Sequence, residues 1–286
     1  MKKEILTTIS SPLHIGKQGH LYIKLSHKEG FTYIDDSYCV APLKIAKPFY
    51  LDSSGEVFLY IMNPTGGMVQ GDRYRMDVVL EPGAQAFLTS QAATKIYRME
   101  YDYAAATDCF KVKEGALLEY FPDPVIPFAG SRFVGETEII IDRGGSAFIG
   151  EILFPGRLKR GEMFQYDFYS RRTRVFYQGE LVYYDFFDLR PKDKKVDVLG
   201  MFEGYTYYGQ LTIFSSAVTR ELSDLLHFAL QDTSGLTGSA SLTQKYGVIV
   251  RILGSNSIQL TSALTKCWDI SHKFLLGRPA PKIRKY

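Results

Sequence analysis

From about His20 to Tyr184 the chain is a succession of short runs in which apolar and polar residues alternate or β-branched residues cluster. Among them are Leu21 to Ser26, Val57 to Met62, Met76 to Leu80, Ala84 to Leu88 and Phe133 to Ile141. A period of two over so few residues places alternate side chains on one face of a strand and leaves no room for a helix of ordinary length. Turn signals separate the runs at Ser53-Ser54-Gly55, Glu81-Pro82-Gly83, Glu114-Gly115 and Arg143-Gly144-Gly145, where proline presets φ and glycine admits positive φ. This punctuation predicts several consecutive hairpins. With 45% of its 286 residues hydrophobic and 14% aromatic, the chain can bury a large core, and the aromatic weight favours strands.

The pattern changes near the C-terminus. Leu222, Leu225, Leu226 and Ala229 share one face of a predicted helix from about Val218 to Gln231. A second predicted helix starts at the N-cap residue Asn256, with Gln259 three positions on, runs through Leu260, Leu264, Cys267 and Leu275, and stops at Gly277. Leu236 to Leu242 and Val248 to Leu253 read as a strand pair between them. No Pro- or Ser-rich spacer interrupts the chain. The expectation is a mostly β fold. One large domain over residues 1–286 is built of layered, β-helix-like or sandwich-like sheets with two helices near the C-terminus, followed by a short basic, solvated tail from about Arg278.

Several function classes fall away. Lys and Arg exceed Asp and Glu by only three (34 against 31), so no strong field marks a nucleic-acid binder. The N-terminus lacks a sustained apolar run and no stretch approaches membrane-spanning length, so a cytoplasmic protein without a membrane partner is expected. Cys39, Cys109 and Cys267 are odd in number and far apart, which predicts reduced, mostly buried thiols. His14, His20 and His27 stand six and seven apart, matching neither a strand face nor a helix turn, and read as surface histidines. His227 and His272 each sit in a helical segment without a nearby partner. G-x-x-x-x-G-K-[ST], G-x-S-x-G and H-E-x-x-H patterns are all absent, which points to a non-catalytic protein that does not hydrolyse GTP.

Two segments are richer than their surroundings. Asn63-Pro64-Thr65-Gly66-Gly67-Met68-Val69-Gln70-Gly71-Asp72-Arg73 is a shaped loop between strands, and Pro82-Gly83-Ala84-Gln85-Ala86-Phe87-Leu88-Thr89-Ser90-Gln91-Ala92-Ala93-Thr94-Lys95-Ile96-Tyr97-Arg98 couples apolar alternation to a hydroxyl cluster and basic residues. Together they resemble the UreD (also called UreH) family of urease accessory proteins, whose pattern runs NPxGGxxxGD and then PGAxAxLTxxAATKxYR. Leu118 to Phe128, Gly156-Arg157 with Gly161-Glu162, and Tyr205 to Gly209 resemble later landmarks in the same order.

That resemblance implies a urease maturation factor. It would bind apo-urease and a UreF-type partner, which recruits a UreG-type GTPase, and would carry nickel in transit, with no tightly bound cofactor. Carboxylates, hydroxyls and carbonyls hold divalent nickel less tightly than imidazole or thiolate, and a relay must release its cargo. On the family pattern the candidate path residues are Asp72, Thr89, Ser90 and Glu162. Glu119, Asp123 and Glu151 supply further oxygen ligands, although Glu119 and Asp123 also fit a Pro-rich bend that ends a strand. Each candidate has a plainer use: Asp72 capping its own loop, Thr89 and Ser90 serving backbone groups, Glu162 pairing with Arg157 or Arg160. Where many relatives carry an acid or amide after the Pro124 to Phe128 segment, this chain has Phe128-Ala129-Gly130. Lys95, Arg98, Arg132 and Arg157 to Arg160 read as anion-binding, as ion pairs, or as facing an acidic partner. Tyr183, Tyr184, Tyr205, Tyr207 and Tyr208 are either partner anchors or ordinary strand residues. Two rival functions remain, a structural clamp on urease without a nickel path and a small-molecule enzyme.

Overall fold

The computed structural model describes residues 18–231 and 234–283, so His14 lies outside the described residues. In chain order the strands are β1 (Gln18–Lys28), β2 (Phe31–Val40), β3 (Lys44–Ile45), β4 (Val57–Met62), β5 (Gly67–Met68), β6 (Arg73–Leu80), β7 (Gln85–Ser90), β8 (Thr94–Ile96) and β9 (Ala104–Val112). They continue with β10 (Leu117–Tyr120), β11 (Val125–Pro127), β12 (Arg132–Ile141), β13 (Ser146–Leu153), β14 (Phe168–Tyr177), β15 (Glu180–Leu189) and β16 (Tyr207–Phe214). Helix α1 (Arg220–Gln231), β17 (Leu236–Leu242), β18 (Gly247–Gly254) and α2 (Ser257–Leu276) complete the order.

The central strands wind as a β-helix. β6, β9, β12 and β14 stack in parallel in one sheet, and β4, β7, β10 and β13 stack in parallel in a second. The short β5, β8 and β11 form a narrow third ladder. β1 joins the first sheet parallel to β6, and antiparallel strands complete both main sheets. The first runs β15-β14-β12-β9-β6-β1-β2 and the second β17-β18-β16-β13-β10-β7-β4-β3.

The expected hairpins are therefore corrected for most of the turn signals. Glu81-Pro82-Gly83, Glu114-Gly115 and Arg143-Gly144-Gly145 are corners where the chain leaves the first sheet for the second. Gly83, Gly115 and Gly144 supply φ of +74°, +64° and +72° there. The corners stack, Gly83 N–H donating to Glu114 O and Gly115 N–H to Arg143 O. Alternation fixes which side of a strand faces inward but carries no information about the direction of its neighbour, so a tight turn alone does not distinguish a hairpin from a corner.

Two apolar cores result. One fills the space between the sheets, with Leu21, Ile23, Val78, Leu88, Phe110, Leu118, Ile139 and Val175 buried. The other lies between the second sheet and the two helices, where Phe87, Phe148, Leu211, Val250, Leu222, Leu264 and Trp268 meet. Strands β7, β10, β13 and β16 are covered on both faces, so consecutive residues in each are buried. The outer face of the first sheet is wet, and Arg172–Glu136 and Arg174–Glu138 pair directly across β12 and β14.

Both predicted helices are present. Asn256 caps α2, its side chain accepting from Ile258 N and Gln259 N, and Gly277 closes it in a left-handed conformation. Cys267 is buried, Cys109 is half-buried and Cys39 is exposed, which corrects the expectation for Cys39. The chain beyond α2 departs from a solvated tail as far as it is described. Arg278 reaches Glu56 at 3.1 Å, and Ala280 N–H donates to Asp269.

Candidate functional site

The two distinctive segments become adjacent rungs of the third ladder, with Gly67 opposite Lys95 and Met68 opposite Ile96. Asn63 shapes the loop, its Oδ1 accepting from the Thr65 hydroxyl at 2.6 Å. Asp72 closes it, Oδ2 accepting from Val69 N–H and from the Tyr74 hydroxyl, both at 2.8 Å. A Cβ on Gly67 would stand 2.4 Å from Lys95 O and 2.7 Å from the Tyr97 ring, so the rungs close only on glycine. Gly67→Ala is expected to cost about 1–3 kcal/mol, read as a lowered thermal midpoint.

This ladder borders a cavity of about 240 Å³ between the two sheets, lined by Asn63, Gly66, Ser90, Thr94 and Asp123 and by Tyr74, Tyr120, Tyr169 and Tyr208. Its interior carries charge. Asp108 on β9, Glu151 on β13 and Arg171 on β14 all line it, and Arg171 Nη1 pairs with Glu151 Oε1. Alternation places Asp108 and Arg171 inward, since the buried Phe110 and Val112 follow Asp108 on the same face of β9 and Tyr169 and Thr173 flank Arg171 on β14. Burial pushes the Asp108 carboxyl up to about 7, with the Arg171 charge pulling against that shift. Burial also lowers the Arg171 guanidinium from its ordinary value. A polar network continues between the sheets toward their edge: Tyr208 donates to Gln210, and Arg251 bonds Gln210, the Tyr183 hydroxyl and Asp185.

The four sequence candidates do not converge on one point. Ser90 lines the cavity and accepts from Asp123 N–H at 2.7 Å. Asp72 is buried beneath the ladder, holding the loop and Tyr74. Thr89 faces away from the cavity and donates to Phe121 O at 2.5 Å. Glu162 lies in a separate concavity of about 710 Å³ with Arg98, Arg132, Asp167 and Lys192. There Arg157 pairs with it and, with the Ala129 N–H, holds its carboxyl below the usual range. Of the basic residues named from the sequence, Arg132 and Arg157 are in ion pairs, Arg132 sharing Asp167 with Lys192. Of the tyrosines, Tyr208 and Tyr183 join the internal network, whereas Tyr184 is 55% exposed.

Sequence reasoning missed Asp108 and Arg171. Their signal was available, because each is a charged residue at an inward position of an alternating strand. It also misjudged Glu119 and His272. Glu119 lies within β10 under α2, accepting from Trp268 Nε1–H and 2.7 Å from His272 Nε2, so His272 has a buried partner. Burial pushes Glu119 up to about 7 and His272 down to about 4, while burial and then the neighbouring Glu119 charge raise Glu56 well above its ordinary value.

Among the described residues, no three His, Cys, Asp or Glu side chains come together as a metal-binding group, and no helix is long and apolar enough to cross a membrane. The fold is thus a β-helix that encloses a charged cavity bordered by the two motif rungs. The family described as "UreD urease accessory protein" matches residues 17–285, and the chain belongs to that family. It is 39% identical to a urease accessory protein UreD of Acetivibrio thermocellus over 249 residues, 87% of this chain and 95% of that one. It is 36% identical to UreD 2 of Streptomyces griseus over 94% of each chain, and 32% identical to UreD of Haloarcula marismortui over 95% of this chain and 91% of that one.

Proposed function

We propose that the protein is a urease maturation factor. It binds apo-urease and a UreF-type protein, which brings a UreG-type GTPase, and nickel crosses it in transit during GTP-dependent assembly of the urease metallocentre. The observation that carries the passage reading is the charged cavity behind the two motif rungs, where carboxylates and a hydroxyl offer weak oxygen ligands to a divalent cation. Ser90, Asp108, Asp123 and Glu151 belong to its wall. Asp72 and Thr89 act by fixing the loop and strand that border it, and Glu162 acts apart from it, at the second concavity. The protein works in the cytoplasm and catalyses no reaction itself.

Copurification from cells expressing the urease operon tests the assembly. The tagged chain is expected to retain apo-urease and the UreF-type protein, and recovery of the chain without either would contradict the proposal.

A further inference from the structure

An arginine is an unusual lining for a cation route, and Arg171 is built into this one. Its stem lies across Gly135, where a Cβ would stand 3.2 Å from Arg171 Cγ, so the glycine leaves a trough for it. Its head holds Glu151 from the opposite sheet. Two residues along β14, on the same inward face, Thr173 stands opposite Asp185 of β15. Thr173 Oγ1 and Asp185 Oδ2 are buried without a hydrogen-bond partner, although the other Asp185 oxygen binds Arg251. Buried acceptors are seldom left open, and this pair lies within one inward step of a guanidinium with donors to spare.

We propose that Arg171 is a tethered counter-cation that exchanges places with the travelling divalent cation, pairing with Glu151 while the cavity carries no metal and swinging onto Asp185 and Thr173 when the cation reaches Glu151 and Asp108. This rests on the nickel-passage reading. In the first position the guanidinium compensates carboxylates that burial would otherwise neutralise. In the second, two cationic groups no longer compete for one carboxylate. Charge balance is kept throughout, since Arg171 stays protonated and the metal enters and leaves as the divalent ion. The arrangement holds the metal weakly because each binding event must first displace the tethered charge.

The test is Ni2+ titration of the full-length chain followed by calorimetry. Arg171→Met removes the competitor and is expected to tighten Ni2+ binding by about tenfold or more, because apparent affinity is scaled down to the fraction of molecules whose site is free of its own side chain. Adding Glu151→Gln should abolish the gain. Asp185→Asn keeps the Arg171–Glu151 pair but weakens the landing place, and is expected to loosen Ni2+ about tenfold, which keeps the test open if Arg171→Met does not fold. Unchanged affinity in the folded variants would overturn the exchange. Its failure is separable from failure of the passage reading: in that case Asp108→Asn would leave nickel loading of urease at the wild-type level.

Discussion

Asp108→Asn is expected to lower the nickel bound by co-expressed urease about tenfold while the melting temperature of the accessory chain stays level or rises, because charge-lined, low-dielectric clefts concentrate counter-ions by roughly 10- to 1,000-fold. The two readouts move apart for a physical reason. A carboxylate that served stability would be paired, and its loss would cost stability. Asp108 instead has its carboxyl pushed up to about 7 by burial, with only partial relief from Arg171. Replacing it with the isosteric amide removes a desolvation penalty and leaves shape intact. Urease nickel by elemental analysis and a thermal melt of the variant measure the two quantities. Parallel loss of both would make Asp108 a structural residue.

Trp268→Ala is expected to destabilise the chain by about 3–5 kcal/mol, the largest stability loss foreseen for one side chain, measured by urea unfolding. The indole packs at a tilt against Phe87 and Phe121 with ring centroids 5.6 and 4.9 Å away, and its Nε1–H serves Glu119. Truncation leaves a cavity beneath α2 and strips a donor from a buried carboxyl. The same cluster sets a pH dependence. Glu119, with an ordinary value of 4.5 and about 7 when folded, contributes stability below pH 4.5 that is lost progressively as pH rises to about 7. His272, ordinarily 6.5 and about 4 when folded, contributes stability above pH 6.5 that is lost as pH falls to about 4. Glu119→Gln removes the first contribution and also relieves Glu56 of the neighbouring Glu119 charge, while His272 keeps its own burial. Relative to the parent chain it should therefore gain on the order of 2 kcal/mol between pH 5 and pH 8.

Much of the architecture was legible in residue pattern. Alternation in Leu21 to Ser26 and Phe133 to Ile141 marked β1 and β12, and Asn256 with Gly277 bounded α2. Strand direction was not legible: Pro82-Gly83 serves a corner as well as a hairpin, and only pairing across twenty or more residues separates them. The motif segments were legible as a shaped feature, since their composition answers to a local constraint, the close approach of Gly67 to Lys95, and they border the cavity. The charged interior was harder to see. Asp108, Glu151 and Arg171 come from three strands, and their meeting depends on how the sheets stack. Glu119 and His272 are 153 positions apart and likewise carry no local sign of their contact.

The central claim, that the protein is needed to place nickel in urease, is tested most directly by measuring nickel per active site in urease purified from cells carrying the whole urease operon with and without this gene. The account predicts intact urease with little nickel when the gene is missing and restored nickel when it is returned. Urease fully loaded in its absence would contradict it.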